Sequence, residues 1–176
     1  MLNRLYQLFG FDKLHSRATV QPVRPKLVLT VSCLDALQTC LSPKMKKRHE
    51  GIAYLLGRTD GFVTLAVSAY RPDAKTTPGS FWVGPKAMAV GVRAAARHSL
   101  QVVAQVHTHP GAAYHSEGDI EGARIRYAGY ASVVLPEYGR HLPKLDGAAG
   151  FIFDSDNTWV ELVESEIIIV PGECYG

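Results

Sequence analysis

Residues 100–119 read LQVVAQVHTHPGAAYHSEGD, and the rest of the chain is best understood outward from them. Leu100 to Val106 is an apolar run of the length and composition of a buried strand. Two imidazoles follow, His107 and His109, two residues apart. On a strand, residues i and i+2 point to the same face, so both rings can converge on one point. Pro110 cannot donate a ladder hydrogen bond and should stop the strand. A five-residue loop then leads to Ser116 and Asp119, which open a predicted helix over about 117–127. Residues i and i+3 neighbour each other on a helix face. Taken singly, each piece has a plain structural explanation. A His-x-His pair is often surface strand, and Ser-x-x-Asp is a variant of the capping box. Together they place two imidazoles, a carboxylate and a hydroxyl in one small volume. Two His and a carboxylate with one position left open describe a catalytic zinc site.

The 176 residues suit one domain with short appendages, and 47% apolar residues are enough for a normal core. A formal charge of +3 is too mild to argue for nucleic acid. Lys44, Lys46, Lys47 and Arg48 form one basic cluster, read as a solvated loop. Three cysteines without a Cys-x-x-Cys pair argue against a disulfide framework and a thiolate zinc site, and fit a reducing cytoplasm. Cys33 and Cys40 read as small core residues on one helix face, and Cys174 as a free thiol in the tail. No run approaches the roughly 20 apolar residues of a membrane span. The first residues lack the apolar core of a signal peptide.

Leu2, Leu5, Tyr6 and Phe9 recur at helical spacing in an extension over 1–25, with Pro22 and Pro25 in a linker. The main domain is expected over 26–170 and a tail over 171–176. Within the domain, 26–31 reads as a strand, and Ser32 as the cap of a helix over about 33–41 that Pro43 closes. Residues 50–56 read as a strand ending at Gly57, and Asp60-Gly61 as the turn into a partner strand over 62–70. Residues 71–80 carry two prolines and a glycine and read as a mobile loop, with 81–83 briefly extended. Pro85 starts a helix to about Ser99, with Ala87, Val90, Ala94 and Ala95 on its packing face. Later strands are expected at 131–135, 149–153, 158–163 and 167–170, with an irregular loop over 136–147. This order is α/β, a mixed sheet flanked by helices.

Glu50, the His107-Thr108-His109-Pro110 segment, and Ser116 with Asp119 together resemble the signature of the JAB/MPN domain metalloproteases, also called JAMM proteases. The resemblance covers about residues 26–165 and includes the element order. Here five residues, 111–115, separate the proline from the serine, where most members have six. The resemblance implies a single JAB/MPN (cytidine-deaminase-like) domain with a curved mixed sheet. It implies one zinc ion on His107, His109 and Asp119, with Glu50 as general base and Ser116 as oxyanion donor. A carboxylate must pass a proton to the leaving amine, and a fixed hydroxyl can stabilise the oxyanion. His115 is assigned to the rim of the site. The implied activity is a deubiquitinase-like isopeptidase or peptidase of bacterial type. It would cut after the glycine tail of ubiquitin or a ubiquitin-like protein, alongside ubiquitin-conjugation-like enzymes. Processing of a sulfur-carrier-like protein is a second enzymatic reading, and a non-catalytic MPN scaffold is the reading from a different class. A substrate tail is expected to lie along a sheet edge, with Phe81, Trp82 and Tyr138 as contacts from the two loops.

Overall fold

The structure is a computed structural model and describes residues 26–171. The expected N-terminal helix, its linker and Cys174 lie outside the described residues. The chain runs β1 (Leu27–Thr30), α1 (Val31–Met45), β2 (Ile52–Thr59), β3 (Thr64–Tyr70), β4 (Ala74–Thr77), β5 (Ser80–Val83) and α2 (Pro85–Arg97). It continues with β6 (Gln101–Thr108), α3 (Glu117–Gly122), β7 (Ala131–Leu135), β8 (Ala149–Phe153), β9 (Trp159–Leu162) and β10 (Ile167–Val170). Eight strands form one mixed sheet in the order β10-β1-β3-β2-β6-β7-β8-β9, while β4 and β5 form a separate hairpin. The central strand β6 pairs antiparallel with β2 and parallel with β7. That position explains the apolar run before His107: both faces of β6 are covered.

One face is covered by α1, which buries Cys33, Leu34, Leu37 and Leu41 against Leu55, Val103 and Val133. Each fully buried Leu contributes about 1.5–3 kcal/mol relative to an exposed one. Burial pushes the Cys33 thiol up to about 12, as befits an inert core residue. Thr30, not Ser32, caps α1. The extended backbone of Thr30 lets its Oγ1 accept from Cys33 N at 3.1 Å. The helix also runs through Pro43 to Met45. A proline in the last turn forfeits only its own backbone bond, so it need not end the helix. The basic cluster therefore straddles the C-terminal end of α1, where cations are favoured.

Three further expectations are corrected. Strand β2 begins at Ile52 and continues past Gly57 to Thr59, so Glu50 stands just ahead of it. Gly57 sits at a β-bulge where a Cβ would lie 1.8 Å from the Leu65 carbonyl oxygen; close approach, not strand termination, requires glycine there. Residues 71–80 are no irregular loop but hold β4 and the Pro78-Gly79 turn. Thr77 Oγ1 lies 2.8 Å from Ser80 Oγ and accepts from Gly79 N at 3.3 Å, closing the hairpin. Helix α3 ends at Gly122 rather than near Tyr127. Arg126 folds back, its Nε donating to the Ala123 carbonyl at 2.7 Å and its terminal nitrogen to Ile120 and Glu121. Those carbonyls are the ones another helical turn would have used.

The second face of the sheet is covered by α2 and the β4–β5 hairpin. Pro85 opens α2 as expected, but Gly91 and Ala95 are its buried residues and Val90 is exposed. A Cβ on Gly91 would lie 3.2 Å from both Tyr54 and Tyr70, so glycine lets the helix lie close on the sheet. This face carries His107 and, beside it, a cleft. No helix among the described residues is long and apolar enough to cross a membrane.

Candidate metal centre

His107 lies fully buried one residue before the end of β6, and His109 stands just past that end, held by its own N–H donating to the Leu135 carbonyl at 2.9 Å. The strand alternation thus carries one residue past the formal end of β6. Asp119 reaches the same point from the first turn of α3. The ligand atoms of His107, His109 and Asp119 lie within 4.8 Å of one another, all three residues buried. His107 Nε2 is 3.1 Å from Asp119 Oδ1, and His109 Nε2 is 3.3 Å from Asp119 Oδ2. Burial alone would raise the Asp119 pKa, but the two imidazoles and the Ser116 hydroxyl hold it well below the usual carboxylate range.

The donor set fits a divalent metal. Neither ring nitrogen of His107 has a hydrogen-bond partner of acceptable geometry, although both are buried. An orphaned buried nitrogen beside a carboxylate is costly unless something else is bound there. Two imidazoles and one carboxylate are donor types that hold metals such as zinc in catalytic sites.

Ser116 and Asp119 make a complete capping box. Ser116 N donates to Asp119 Oδ2 at 2.9 Å, and Asp119 N donates to Ser116 Oγ at 3.2 Å. Ser116 Oγ also donates to Asp119 Oδ2 at 2.6 Å. The short 111–115 loop therefore still delivers both residues to the centre. Glu50 is buried on the opposite wall, its N–H donating to the Thr77 carbonyl at 2.8 Å. Burial raises its pKa; His109 works against that shift and Asp119 with it.

These groups line a cleft of about 500 Å³ together with Ile52, Tyr54, Phe81 and Trp82. Phe81 packs on His107 at 5.1 Å between ring centroids, and Trp82 is half-exposed at the lip. Tyr138 lies elsewhere. It borders a neighbouring groove with Arg48 and Pro110, and its hydroxyl donates to the Pro78 carbonyl at 3.0 Å, tying its loop to the hairpin tip. His115 is not on the rim. It stacks on Phe151 at 4.4 Å and meets the edge of Trp159 at 5.0 Å, and burial pushes its imidazole down to about 4. Sequence reading missed Tyr114, which sits edge-on to His109 at 4.8 Å. It also missed Tyr54, Gln105 and Tyr130 in the cleft wall. Tyr54 and Gln105 could have been found by extending the two-residue alternation from Glu50 and His107.

Comparisons with known proteins bear on the family and the fold. The chain is 28% identical to a probable metalloprotease, y4jG, of Sinorhizobium fredii (strain NBRC 101917 / NGR234), over 77% of this chain and 86% of that protein. Two solution structures share the fold. Protein DSY2949 from Desulfitobacterium hafniense matches with a TM-score of 0.60 at 19% identity, over 82% of this chain and 93% of that one. A protein from Salinibacter ruber matches with a TM-score of 0.54 at 18% identity, over 82% and 91%. The family model for prokaryotic homologs of the JAB domain matches residues 41–140, a span that contains Glu50, both histidines, Ser116 and Asp119. By that match the chain belongs to the prokaryotic homologs of the JAB domain.

Proposed function

We propose that this protein is a zinc-dependent peptidase that cuts after the glycine-ended C-terminal tail of a ubiquitin-like protein. Family membership and the relative named as a probable metalloprotease support a JAMM-type metalloprotease. The observation that carries the reading is the buried cluster of His107, His109 and Asp119, facing Glu50 across one cleft. His107, His109 and Asp119 would hold the zinc. When bound, zinc polarises the scissile carbonyl and makes water nucleophilic at neutral pH. Glu50 takes the proton from the attacking water and hands it to the leaving amine. Its raised pKa suits both halves of that task. The Ser116 hydroxyl turns from Asp119 to the carbonyl oxygen as negative charge develops there.

The substrate part rests on the cleft's lip. Strand β5 pairs only with β4 among the described residues, and residues 79–83 line the cleft. An extended tail can add to such an edge through main-chain hydrogen bonds, without demanding particular side chains. The test is a panel of glycine-ended ubiquitin-like fusions and unrelated short peptides, incubated with metal-loaded protein. Cleavage after the terminal glycine of a fusion is expected. Cleavage of unrelated peptides alone would leave the peptidase and remove this substrate.

A further inference from the structure

We propose that the closed end of the cleft is a recognition pocket for the residue on the leaving side of the scissile bond, and that it takes a bulky, uncharged side chain such as Leu, Met, Phe or Tyr. The proposal rests on the peptidase reading, with Glu50 serving the leaving amine. Glu50, Ile52 and Tyr54 line the cleft in alternation, while Gly51, Ala53 and Leu55 do not. The wall that begins at Glu50 therefore continues inward, on the side where the amine departs. Strand register gives the depth: Ile52 stands opposite His107, and Tyr54 opposite Gln105. Two residues along a strand place that second row about 7 Å beyond the first.

The lining sets the chemistry. Ile52, Val83, Met88 and Ile125 supply apolar surface. Tyr54, Gln105 and Tyr130 form the polar end, with Gln105 donating to Ser132 Oγ at 3.3 Å. Tyr130 is completely buried, and its hydroxyl has no hydrogen-bond partner. Burial holds the Tyr130 phenol well above its ordinary value and pushes Tyr54 up to about 12, so both stay neutral. Outside Glu50 and the metal centre, the ionised residue in the cleft lining is Arg124, which is exposed to solvent, whereas Tyr54, Gln105 and Tyr130 are buried and uncharged. A charged side chain would lose its water there and gain no counter-ion. A neutral side chain buries apolar surface, and one with a polar tip can also partner Tyr130.

The pocket has a consequence for the kind of bond cut. Hydrolysis joins the water oxygen to the glycine carbonyl carbon, breaks the C–N bond and leaves the proton on the departing nitrogen. In a linear extension that nitrogen belongs to an α-carbon bearing a side chain, which fills the pocket. In an isopeptide it is the ε-nitrogen of a lysine on a folded acceptor, whose bulk cannot follow the lysine into an inner end formed by the buried Tyr54, Gln105 and Tyr130. The site is thus built to trim a linear extension rather than to release a conjugated protein.

Two measurements test this with the full chain. Metal-loaded protein is incubated with a proteome-derived peptide library, and the new N-termini are sequenced by mass spectrometry. Leu, Met, Phe or Tyr should follow the cut at least about tenfold more often than Asp, Glu or Lys, the discrimination an apolar pocket delivers. Methyl-labelled protein is also titrated with leucinamide, phenylalaninamide, aspartamide and lysinamide. The Ile52, Met88 and Ile125 methyl signals should shift saturably with the first two alone. Ala123→Leu narrows the pocket and should abolish both effects while metal content stays the same. Cuts without preference, or before charged residues, overturn the pocket and leave the peptidase standing. A library left uncut overturns the peptidase reading, and the titration then decides the pocket: no shift, or equal shifts with all four amides, refutes it.

Discussion

Thr108 Oγ1 accepts a hydrogen bond from Gly51 N at 2.8 Å in a buried setting, and Thr108 N donates back to the Gly51 carbonyl at 3.1 Å. This pair fastens the residue between the two histidines to the residue after Glu50. A Cβ on Gly51 would fall 2.9 Å from Leu41, so the chain passes close to α1 at this point. Glu50 and the two imidazoles, 57 and 59 residues away in sequence, are thereby linked through the Thr108 side chain and one backbone bond. Thr108→Val keeps the shape and removes the acceptor. It should cost about 1–3 kcal/mol of stability and, by loosening Glu50, up to about 10²-fold in kcat with metal retained. Thr108→Ser should restore both. Denaturant unfolding with steady-state kinetics checks this, and a fully active valine variant would show that Glu50 is positioned otherwise.

Glu50→Gln should keep the metal and the fold but lose about 10²–10⁴-fold in turnover. The folded-state pKa of Glu50 lies above its ordinary 4.5, chiefly through burial. The folded protein therefore holds the proton that the unfolded chain releases as pH rises from about 4.5. Stability contributed at low pH is lost as pH climbs through the folded pKa. Glutamine removes that loss, so at neutral pH the metal-free variant should melt at or above the wild-type temperature. A variant that loses its metal would make Glu50 a ligand instead.

Ser116→Ala removes an oxyanion donor and a helix cap. Activity should fall about 10²–10³-fold and stability by about 1 kcal/mol. Unchanged kcat would mean that the hydroxyl stays on Asp119 throughout the reaction.

Trp82→Ala, and separately a hairpin shortened across 76–79, should weaken capture of a glycine-ended ubiquitin-like fusion with metal content unchanged. Aromatic contacts at binding sites cost about tenfold or more when truncated. The effect should appear in KM. Identical cleavage of the fusion would assign the hairpin to packing alone.

The grouping of His107, His109 and Asp119 is legible in the sequence because its geometry is local. His107 and His109 follow strand alternation, and the Ser116–Asp119 spacing is that of a helix start. What was not readable depends on contacts between distant segments. Nothing near Gly122 announces that Arg126 will cap α3. The loop-like composition of 71–80 hid a hairpin whose pairing with residues 80–83 gives it order. His115 looked peripheral beside Ser116, yet Phe151 and Trp159, more than thirty residues away, draw it inward. Gly57 read as a strand end because only the Leu65 carbonyl across the bulge reveals why glycine is needed.

The central claim is that His107, His109 and Asp119 hold one zinc ion. Elemental analysis of the protein purified without added metal, side by side with Asp119→Ala, tests it most directly. The account predicts one zinc per chain in the wild type and a near-complete loss in the variant, which should remain folded. A wild-type protein without zinc, or a variant that keeps it, would contradict the account.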